Sequence, residues 1–302
     1  MEPQEDLFMR IPLIFNGVAV ILLYITLWVL YYFDFINAFW LIGVLLVELL
    51  FLLILLILFR NKKSDSMIIQ ITVVFLICIF VFDWKLVNYE SLTYRVSLEA
   101  DPIEVVNQSG IHLMVVKSFD IDYLQDEELI AEIFINEKQE VINLQKINNE
   151  SRYKSKNVQL LNWLMNRDND FSVMRKNVQK YLSGDTESID RFLKRDDISG
   201  DSVGLGLAIS AKIAEGKLKN NNTIGITGAL DATGNVLPIG MVEEKIRIAE
   251  NESYPFIIVP SGNAKEAREV KQSMNLKIEI FDVNHIDQAF SLIKRLNTES
   301  KN

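Results

Sequence analysis

The 302-residue sequence has little of the two residue types that build disulfide scaffolds and zinc sites. It contains one cysteine, Cys78, and two histidines, His112 and His285. A lone cysteine cannot form an internal disulfide, and a structural zinc site needs four ligands, mostly Cys and His. We therefore expect no disulfide framework, no metal centre and no bound cofactor, and we interpret both histidines as ordinary surface or strand residues.

An excess of basic residues is also lacking. The chain has 31 Lys and Arg against 40 Asp and Glu, a net charge of −9, and the acidic excess is shared by residues 1–90 and 91–302. Nucleic-acid-binding proteins neutralise phosphates with clustered Lys and Arg. Nucleic acid is therefore not an expected partner.

Long apolar runs occupy the first 90 residues. About 20 apolar residues are needed to cross a bilayer, and three stretches approach or exceed that length, at about 11–33, 35–59 and 67–84. The first carries no charge until its end, and the second is interrupted only by Glu48. This pattern predicts a membrane domain over residues 1–90 with three transmembrane helices, and hence the lipid bilayer as a partner.

The charges between these spans predict their orientation. Arg60, Lys62 and Lys63 form the only strongly basic loop, and loops rich in Lys and Arg face the cytoplasm. This places the N-terminus in the cytoplasm and residues 34–38 outside. With three spans, we expect a multi-pass protein of the cell membrane whose remaining chain lies on the outer face.

Residues 91–185 predict an ancillary region that is first β-rich and then helical. Alternating and β-branched stretches indicate strands, and apolar residues at helical spacing indicate helices. The predicted strands are 94–98, 111–116 and 130–135, followed by a surface loop at 148–157 and helices at 158–165 and 171–182.

Residues 186–302 predict an α+β domain, because helical and strand patterns alternate along them. The predicted helices are 203–218, 241–250, 264–274 and 286–296, and the predicted strands are 223–230, 236–239, 256–259 and 276–281.

Ser202 is the first candidate nucleophile. It lies at a predicted helix start within Gly200-Asp-Ser-Val-Gly204, where a serine is commonly only an N-cap. The segment also matches G-x-S-x-G, the nucleophile elbow of α/β-hydrolases, which needs a preceding apolar strand and a downstream histidine. His285 is the only such histidine, and residues 192–198 are mostly charged. An esterase using Ser202 and His285 therefore remains an alternative.

Lys245 is a candidate base for Ser202, as an alternative to His285. It lies on the apolar side of the predicted helix 241–250, between Val242 and Ala249. An ordinary lysine, with a pKa near 10.4, is protonated at neutral pH. Burial among apolar neighbours can lower that pKa by several units, although a lysine here could also extend its amine from the edge of that face to solvent.

In order along the chain, these motifs resemble the proteolytic domain of Lon-type proteases. The resemblance covers roughly residues 196–290 and is carried by Gly200-Asp-Ser-Val-Gly204, Thr227-Gly228, Gly234-Asn-Val-Leu-Pro-Ile-Gly240-Met-Val-Glu-Glu-Lys245 and Phe256–Asn263. That family uses a Ser–Lys dyad. The resemblance implies that Ser202 is the nucleophile and Lys245 the general base.

The resemblance also implies supporting residues. Thr227 would position the lysine, and backbone N–H groups at the start of the helix after Ser202 would hold the oxyanion. Gly200, Asp201, Gly204 and Gly228 are the further supporting residues, and the glycines among them permit close approach of the backbone.

Three departures from the family pattern bear on activity. Asp201 replaces the proline beside the nucleophile, Met241 replaces the second glycine before the lysine helix, and Ala229 replaces a glutamate often found after Thr-Gly. A carboxylate near Lys245 would favour the protonated amine and weaken it as a base. A catalytically inactive Lon-like binding protein or scaffold is therefore a second alternative.

The chain contains no Walker A segment, G-x-x-x-x-G-K-[ST], of the kind found in the ATPase module of Lon. It looks like the membrane-anchored, ATP-independent Lon-like proteases, with no clear PDZ segment. The implied function is an ATP-independent serine endopeptidase that cleaves flexible peptides or protein segments on the outer face. A homo-oligomer through the Lon-like domain is a further implied partner.

Overall fold

The structure, a computed structural model, describes residues 4–59, 63–137, 139–164 and 169–299. Contacts between Cα atoms divide the chain into two compact units. The first unit comprises Met1–Arg95, Asp120–Gln125 and Gln145–Met165, and the second comprises Val96–Phe119, Asp126–Leu144 and Asn166–Asn302.

Helices and strands alternate over most of the described chain. The helices are α1 (Gln4–Tyr32), α2 (Ala38–Leu58), α3 (Lys63–Trp84), α4 (Leu86–Tyr89), α5 (Glu127–Asn136), α6 (Asn149–Leu164), α7 (Asp170–Tyr181), α8 (Asp190–Leu193), α9 (Gly204–Ala214), α10 (Val242–Asn251), α11 (Ala264–Ser273) and α12 (Ile286–Glu299). The strands are β1 (Leu92–Leu98), β2 (Ile111–Leu113), β3 (Lys117–Asp122), β4 (Val141–Lys146), β5 (Ile224–Ile226), β6 (Ala229–Leu230), β7 (Val236–Leu237), β8 (Phe256–Pro260) and β9 (Glu279–Val283).

Two helical segments in the first unit are long and apolar enough to cross a membrane. They are Ala38–Leu58 and Ser66–Tyr89, and a shorter apolar stretch, Gly17–Tyr32, belongs to α1. Leu41, Leu45 and Leu76 are fully buried between these helices. By length and composition, the described side chains thus provide two candidate membrane helices rather than three, and residues 11–16 of the first predicted span lie outside the described side chains.

A buried ion pair joins α3 to α6 within the first unit. The Lys156 ammonium lies 2.5 Å from the Asp83 carboxylate, and both side chains have no exposed surface. The Tyr24 hydroxyl donates a hydrogen bond of 2.9 Å to the other carboxylate oxygen. Residues 148–157, predicted as a surface loop, therefore lie mostly in α6, because tertiary contacts satisfy the polar side chains that made the segment resemble a loop.

The second unit is built on a parallel four-stranded sheet in the order β2-β5-β8-β9. Ile257 and Val259 of β8 pack in the same cluster as α10 and α11, whereas Ile258 packs in the cluster that contains α9 and α12. Because successive side chains of a strand alternate between faces, the sheet is covered by helices on both sides. The uninterrupted apolar sequence of β8 is typical of such a doubly covered parallel strand.

Two smaller sheets complete the architecture. The strands β3-β1-β4 form a three-stranded sheet, and β6 and β7 form an antiparallel pair across the turn at residues 231–235. The described chain is thus a mixed helix and sheet structure. The helices and strands predicted after residue 200 are present, with boundaries displaced by one to a few residues, except that the strand predicted at 223–230 is two strands, β5 and β6, in different sheets.

One strand prediction for the ancillary region was wrong. Residues 130–135, predicted as a strand, lie in α5, whose start is capped by the Asp126 carboxylate and whose Ile130 and Phe134 are buried at i, i+4 spacing. Residues 111–116 do contain a strand, but it is the edge of the parallel sheet, with Ile111 beside Ile224. Residues 91–185 are consequently divided between the two units and do not form a compact unit of their own.

Candidate active site

Ser202 is held at the entry to the most buried helix of the second unit. Helix α9 begins two residues later, at Gly204, and every residue from Gly204 to Ala211 is buried. The backbone carbonyl of Ser202 accepts a hydrogen bond of 2.7 Å from the Gly228 N–H and one of 3.3 Å from the Thr227 hydroxyl. The backbone that carries the serine is therefore fixed to the segment between β5 and β6.

The structure explains why two positions of the serine motif are glycine. Gly200 has φ of +86°, a left-handed conformation that favours glycine. Gly204 packs so closely that an added Cβ would lie 3.2 Å from the backbone nitrogen of Leu230 and 3.1 Å from Met174. The spacing of the motif thus reflects a tight turn followed by a helix start that approaches β6.

Backbone donors are available beside Ser202. Among the described hydrogen bonds, the Gly204 N–H donates to Asp201 and the Leu205 N–H to Gly228, whereas the N–H groups of Ser202 and Val203 have no acceptor. Unpaired N–H groups at a helix start carry positive potential and can stabilise an anion. These two groups are candidates for an oxyanion hole.

Lys245 lies in the first turn of α10 and is only 4% exposed. Burial lowers the pKa of Lys245 to about 8, while the nearby carboxylates of Asp201 and Glu244 oppose this shift. The amine donates a hydrogen bond of 3.1 Å to the Gly240 carbonyl. With a pKa near 8, about a tenth of the amines are neutral at pH 7, so this lysine can serve as a base.

Asp201 is the first of the two carboxylates that oppose deprotonation of Lys245. Burial raises the pKa of Asp201, and the nearby Lys245 lowers it in turn. The two side chains form no direct ion pair in the described part of the structure. Their interaction acts through space, and it is the effect expected from the first of the three departures from the Lon pattern.

Ser202 and Lys245 line the same cavity, which has a volume of about 280 Å³. Its apolar wall is formed by Met114, Val115, Val116, Ile198, Val203 and Met241, and its remaining lining by Ser118, Ser199, Gly200, Asp201 and Gly240. A neighbouring cavity of about 610 Å³ shares five of these residues. The two cavities are therefore adjacent and share part of their walls.

The serine and the lysine share this cavity without a hydrogen bond between them among the described residues, because the Lys245 amine donates to Gly240 instead. Catalytic hydrogen bonds are often long or absent in a free enzyme and tighten when substrate binds. A neutral amine that donates one N–H to Gly240 keeps its lone pair available for a proton from Ser202.

The other predicted site residues lie at different distances from this cavity. Gly200 and Asp201 line it, whereas Thr227 and Gly228 contact the Ser202 backbone from behind. Thr227 makes no hydrogen bond to Lys245 among the described residues, so its geometry supports a role in holding the serine and not in positioning the lysine.

His285 lies elsewhere in the second unit. Its ring contacts Asp287 at 3.2 Å and the Thr233 carbonyl at 3.3 Å, and it does not line the serine cavity. The residues before Ser202 form α8 and an irregular segment, not the strand that a nucleophile elbow requires. The arrangement therefore gives no support to an esterase that pairs Ser202 with His285.

Sequence reasoning missed part of this site. Met114, Val115 and Val116 follow the carboxyl end of β2 and supply one wall of the cavity. Ligands of parallel sheets bind at the carboxyl ends of strands, and this rule would have located the wall had β2 been assigned to the parallel sheet. Asn263 was also missed; its side-chain amide bonds both the N–H and the carbonyl of Ile239, next to Gly240.

Met241 has an unusual backbone at this site. Its φ of +57° and ψ of +45° lie in the left-handed region, which costs a residue with a Cβ about 1–2 kcal/mol. The glycine that Met241 replaces in the Lon pattern would avoid this strain.

The described residues contain no group of three or more His, Cys, Asp or Glu side chains that could hold a metal ion.

Residues 196–295 match the family described as the Lon protease (S16) C-terminal proteolytic domain. This segment includes Ser202, Thr227 and Lys245. Residues 196–295 form a Lon-like proteolytic domain. The 302 residues contain no ATPase module of the Lon kind.

Several Lon proteases are similar to this domain. The chain is 30% identical to Lon protease of Rickettsia felis over 89 residues, which is 30% of this chain and 11% of the relative. It is 31% identical to Lon protease of Desulforamulus reducens over 94 residues and 29% identical to that of Dictyoglomus thermophilum over 93 residues, 31% of this chain and 12% of the relative in each case. The chain thus spans about an eighth of the length of these relatives.

Proposed function

We propose that this chain is a membrane-anchored serine endopeptidase in which Ser202 is the nucleophile and Lys245 is the general base. The observation that carries the proposal is the shared cavity, in which a half-buried serine lies with a buried lysine whose pKa is lowered to about 8. A serine needs an adjacent base to become nucleophilic. In this cavity Lys245 is the basic side chain among the described lining residues.

In the proposed reaction, the neutral Lys245 amine takes the proton of the Ser202 hydroxyl as the serine oxygen attacks the scissile carbonyl. The backbone N–H groups of Ser202 and Val203 stabilise the resulting oxyanion. The intermediate then collapses, and the Lys245 ammonium gives its proton to the leaving amine. A water molecule hydrolyses the acyl-enzyme, with Lys245 again as the base.

The proposal also covers the location of the enzyme, its need for ATP and its assembly. The apolar helices of the first unit would anchor the enzyme in the cell membrane, with α1 as a third span, and the basic loop at residues 60–63 would place the Lon-like domain on the outer face. Because the 302 residues contain no Walker A segment, we expect activity without ATP on flexible peptides or exposed segments. A homo-oligomer through the Lon-like domain is part of the same proposal.

The test is cleavage of an unstructured fluorogenic peptide by the full chain in detergent, without nucleotide. Ser202→Ala and Lys245→Ala should each reduce kcat by about a thousandfold or more, because neither half of the dyad works alone. Matched controls are Ser291→Ala and Lys265→Ala, which change the same residue types on exposed helix faces. Full activity in Ser202→Ala or in Lys245→Ala would refute the proposal.

A serine-directed fluorophosphonate separates an active enzyme from an inactive scaffold that uses the same cavity. The proposed enzyme should label at Ser202, and Lys245→Ala should slow the labelling. A chain that binds peptides but does not label would be the inactive relative.

A further inference from the structure

Met241 differs from the other residues of this chain that adopt a left-handed backbone. Seven non-glycine residues in the described chain have positive φ, and the side chains of six of them are exposed: Asp34, Gln108, Tyr123, Ser183, Ser253 and Asn275. Met241 is the half-buried member of the set, and it faces the cavity that contains Ser202 and Lys245.

Helix termination does not explain this backbone. Ser183, Ser253 and Asn275 each follow the end of a helix, where a left-handed residue is a common terminator. Met241 instead precedes α10, and its carbonyl accepts the hydrogen bond of 3.2 Å from the Lys245 N–H. A glycine would accept the same bond without strain, so the backbone gives no reason to keep a side chain here.

The position of the side chain does give a reason. Strained residues of this kind concentrate at active sites, where their side chains are needed. Met241 forms part of the apolar wall together with Met114, Val116 and Ile198. The cavity of about 280 Å³ is smaller than the range of about 300–1,000 Å³ for small-molecule pockets, which suits one substrate side chain.

We infer that Met241 determines which substrate side chain can flank the scissile bond. Its long apolar side chain lines the cavity and limits the space there, so that aliphatic residues of moderate size bind beside Ser202 and large aromatic residues are excluded. The inference rests on the proposed function, because it assigns the cavity to a peptide held at Ser202. Met241 has no group that exchanges a proton, so it acts on substrate selection and not on the chemistry.

The test measures peptide binding to the full chain in detergent with Ser202→Ala, which prevents cleavage. Fluorescence anisotropy gives Kd for one unstructured peptide with Ala, Leu or Trp at each of its two central positions. With Met241, the Leu peptide should bind about tenfold more tightly than the Trp peptide at one of these positions. Met241→Gly should abolish this preference, and Met241→Leu, which keeps the bulk, should retain it.

A second variant separates side-chain size from backbone strain. Met241→Ala shortens the side chain but keeps a Cβ, so the strain of the left-handed backbone remains. It should therefore weaken the Leu preference as Met241→Gly does. The inference is overturned if both variants keep the original Leu-to-Trp ratio, or if no peptide binds.

Cleavage by the chain with Ser202 intact distinguishes this inference from the proposed function. Size-selective binding that depends on Met241, without cleavage, would refute the peptidase and would support Met241 as the residue that selects which peptide side chain the cavity binds. Cleavage with a size preference that is unchanged in Met241→Gly would refute the inference and support the peptidase.

Discussion

At the scale of single residues, the Asp201 carboxylate of the candidate site raises the pKa of the Lys245 amine. Burial lowers the pKa of Lys245 to about 8, and the Asp201 charge holds it higher than burial alone would. Asp201→Asn removes that charge, so the pKa of Lys245 should fall further. Because the proposed base works as the neutral amine, the acidic limb of kcat/KM for peptide cleavage should shift to lower pH, and activity at pH 7 should rise.

Glu243→Gln is the matched control for this prediction. Glu243 lies on the same helix as Lys245, and its carboxylate is not among the charges that shift the lysine pKa. Its removal should leave the pH profile in place. A shift of the acidic limb to higher pH in Asp201→Asn would show that the carboxylate assists the reaction, contrary to this account.

At the scale of secondary-structure elements, we expect the Asp83–Lys156 pair between α3 and α6 to be sensitive to substitution. Both groups are fully buried, and removing one partner of a buried pair leaves an uncompensated charge at a cost of about 3–5 kcal/mol. Asp83→Asn should therefore lower the unfolding temperature of the full chain in detergent, as followed by circular dichroism. Asp83→Leu combined with Lys156→Met should recover most of the loss, because it removes both charges.

An exposed ion pair on the same helix gives the comparison. Lys154 lies 2.5 Å from Glu150, with 67% and 38% of the two side chains exposed. Water screens such an exposed pair, and fixing two long side chains costs conformational entropy, so Lys154→Met should hardly change the unfolding temperature. Equal losses from Lys154→Met and Asp83→Asn would contradict the importance assigned to burial.

Local sequence patterns predict helices and strands well where the spacing of apolar residues agrees with the residues that mark the ends of the element. Helices α10, α11 and α12 carry apolar residues at helical spacing, and β8 is a short apolar run before a proline, so each was predicted near its observed position. The segment at 130–135 was predicted as a strand because its Ile-rich sequence also fits a strand. The residue that indicates a helix, the N-cap Asp126, lies four residues earlier. The first half of helix α6 was missed because it depends on contacts distant in sequence, whereas the helix predicted at 158–165 corresponds to its second half.

The candidate site follows the same rule. Ser202 and Lys245 could be identified from sequence because their motifs are local and ordered. Asn263, Met114 and the hydrogen bond from Thr227 to the Ser202 carbonyl could not, because each depends on which strands become neighbours in the parallel sheet.

At the scale of the whole molecule, the proposed orientation can be tested by cysteine labelling. Cys78 is the single native cysteine, so replacing it with serine gives a chain without thiols. Lys265→Cys, at a side chain that is 90% exposed in the Lon-like domain, should react with a membrane-impermeant maleimide in intact cells. Lys63→Cys, in the basic loop, should react only after permeabilisation.

The reverse labelling pattern would place the Lon-like domain in the cytoplasm, and labelling of both sites in intact cells would contradict a sealed membrane topology. The Cys78→Ser parent is the negative control, since it should not react in either condition.

The parallel sheet does not begin where the similarity to Lon begins. Its first strand, Ile111–Leu113, lies far upstream of residue 196 and is itself bridged by Ile103. A fragment cut at the homology boundary would leave the N–H and C=O groups along one side of Ile224–Ile226 open, and an open strand edge invites aggregation. The smallest fragment of this protein that can be expected to stay soluble therefore starts before Ile103. The region similar to Lon is thus shorter than the region needed to complete the sheet.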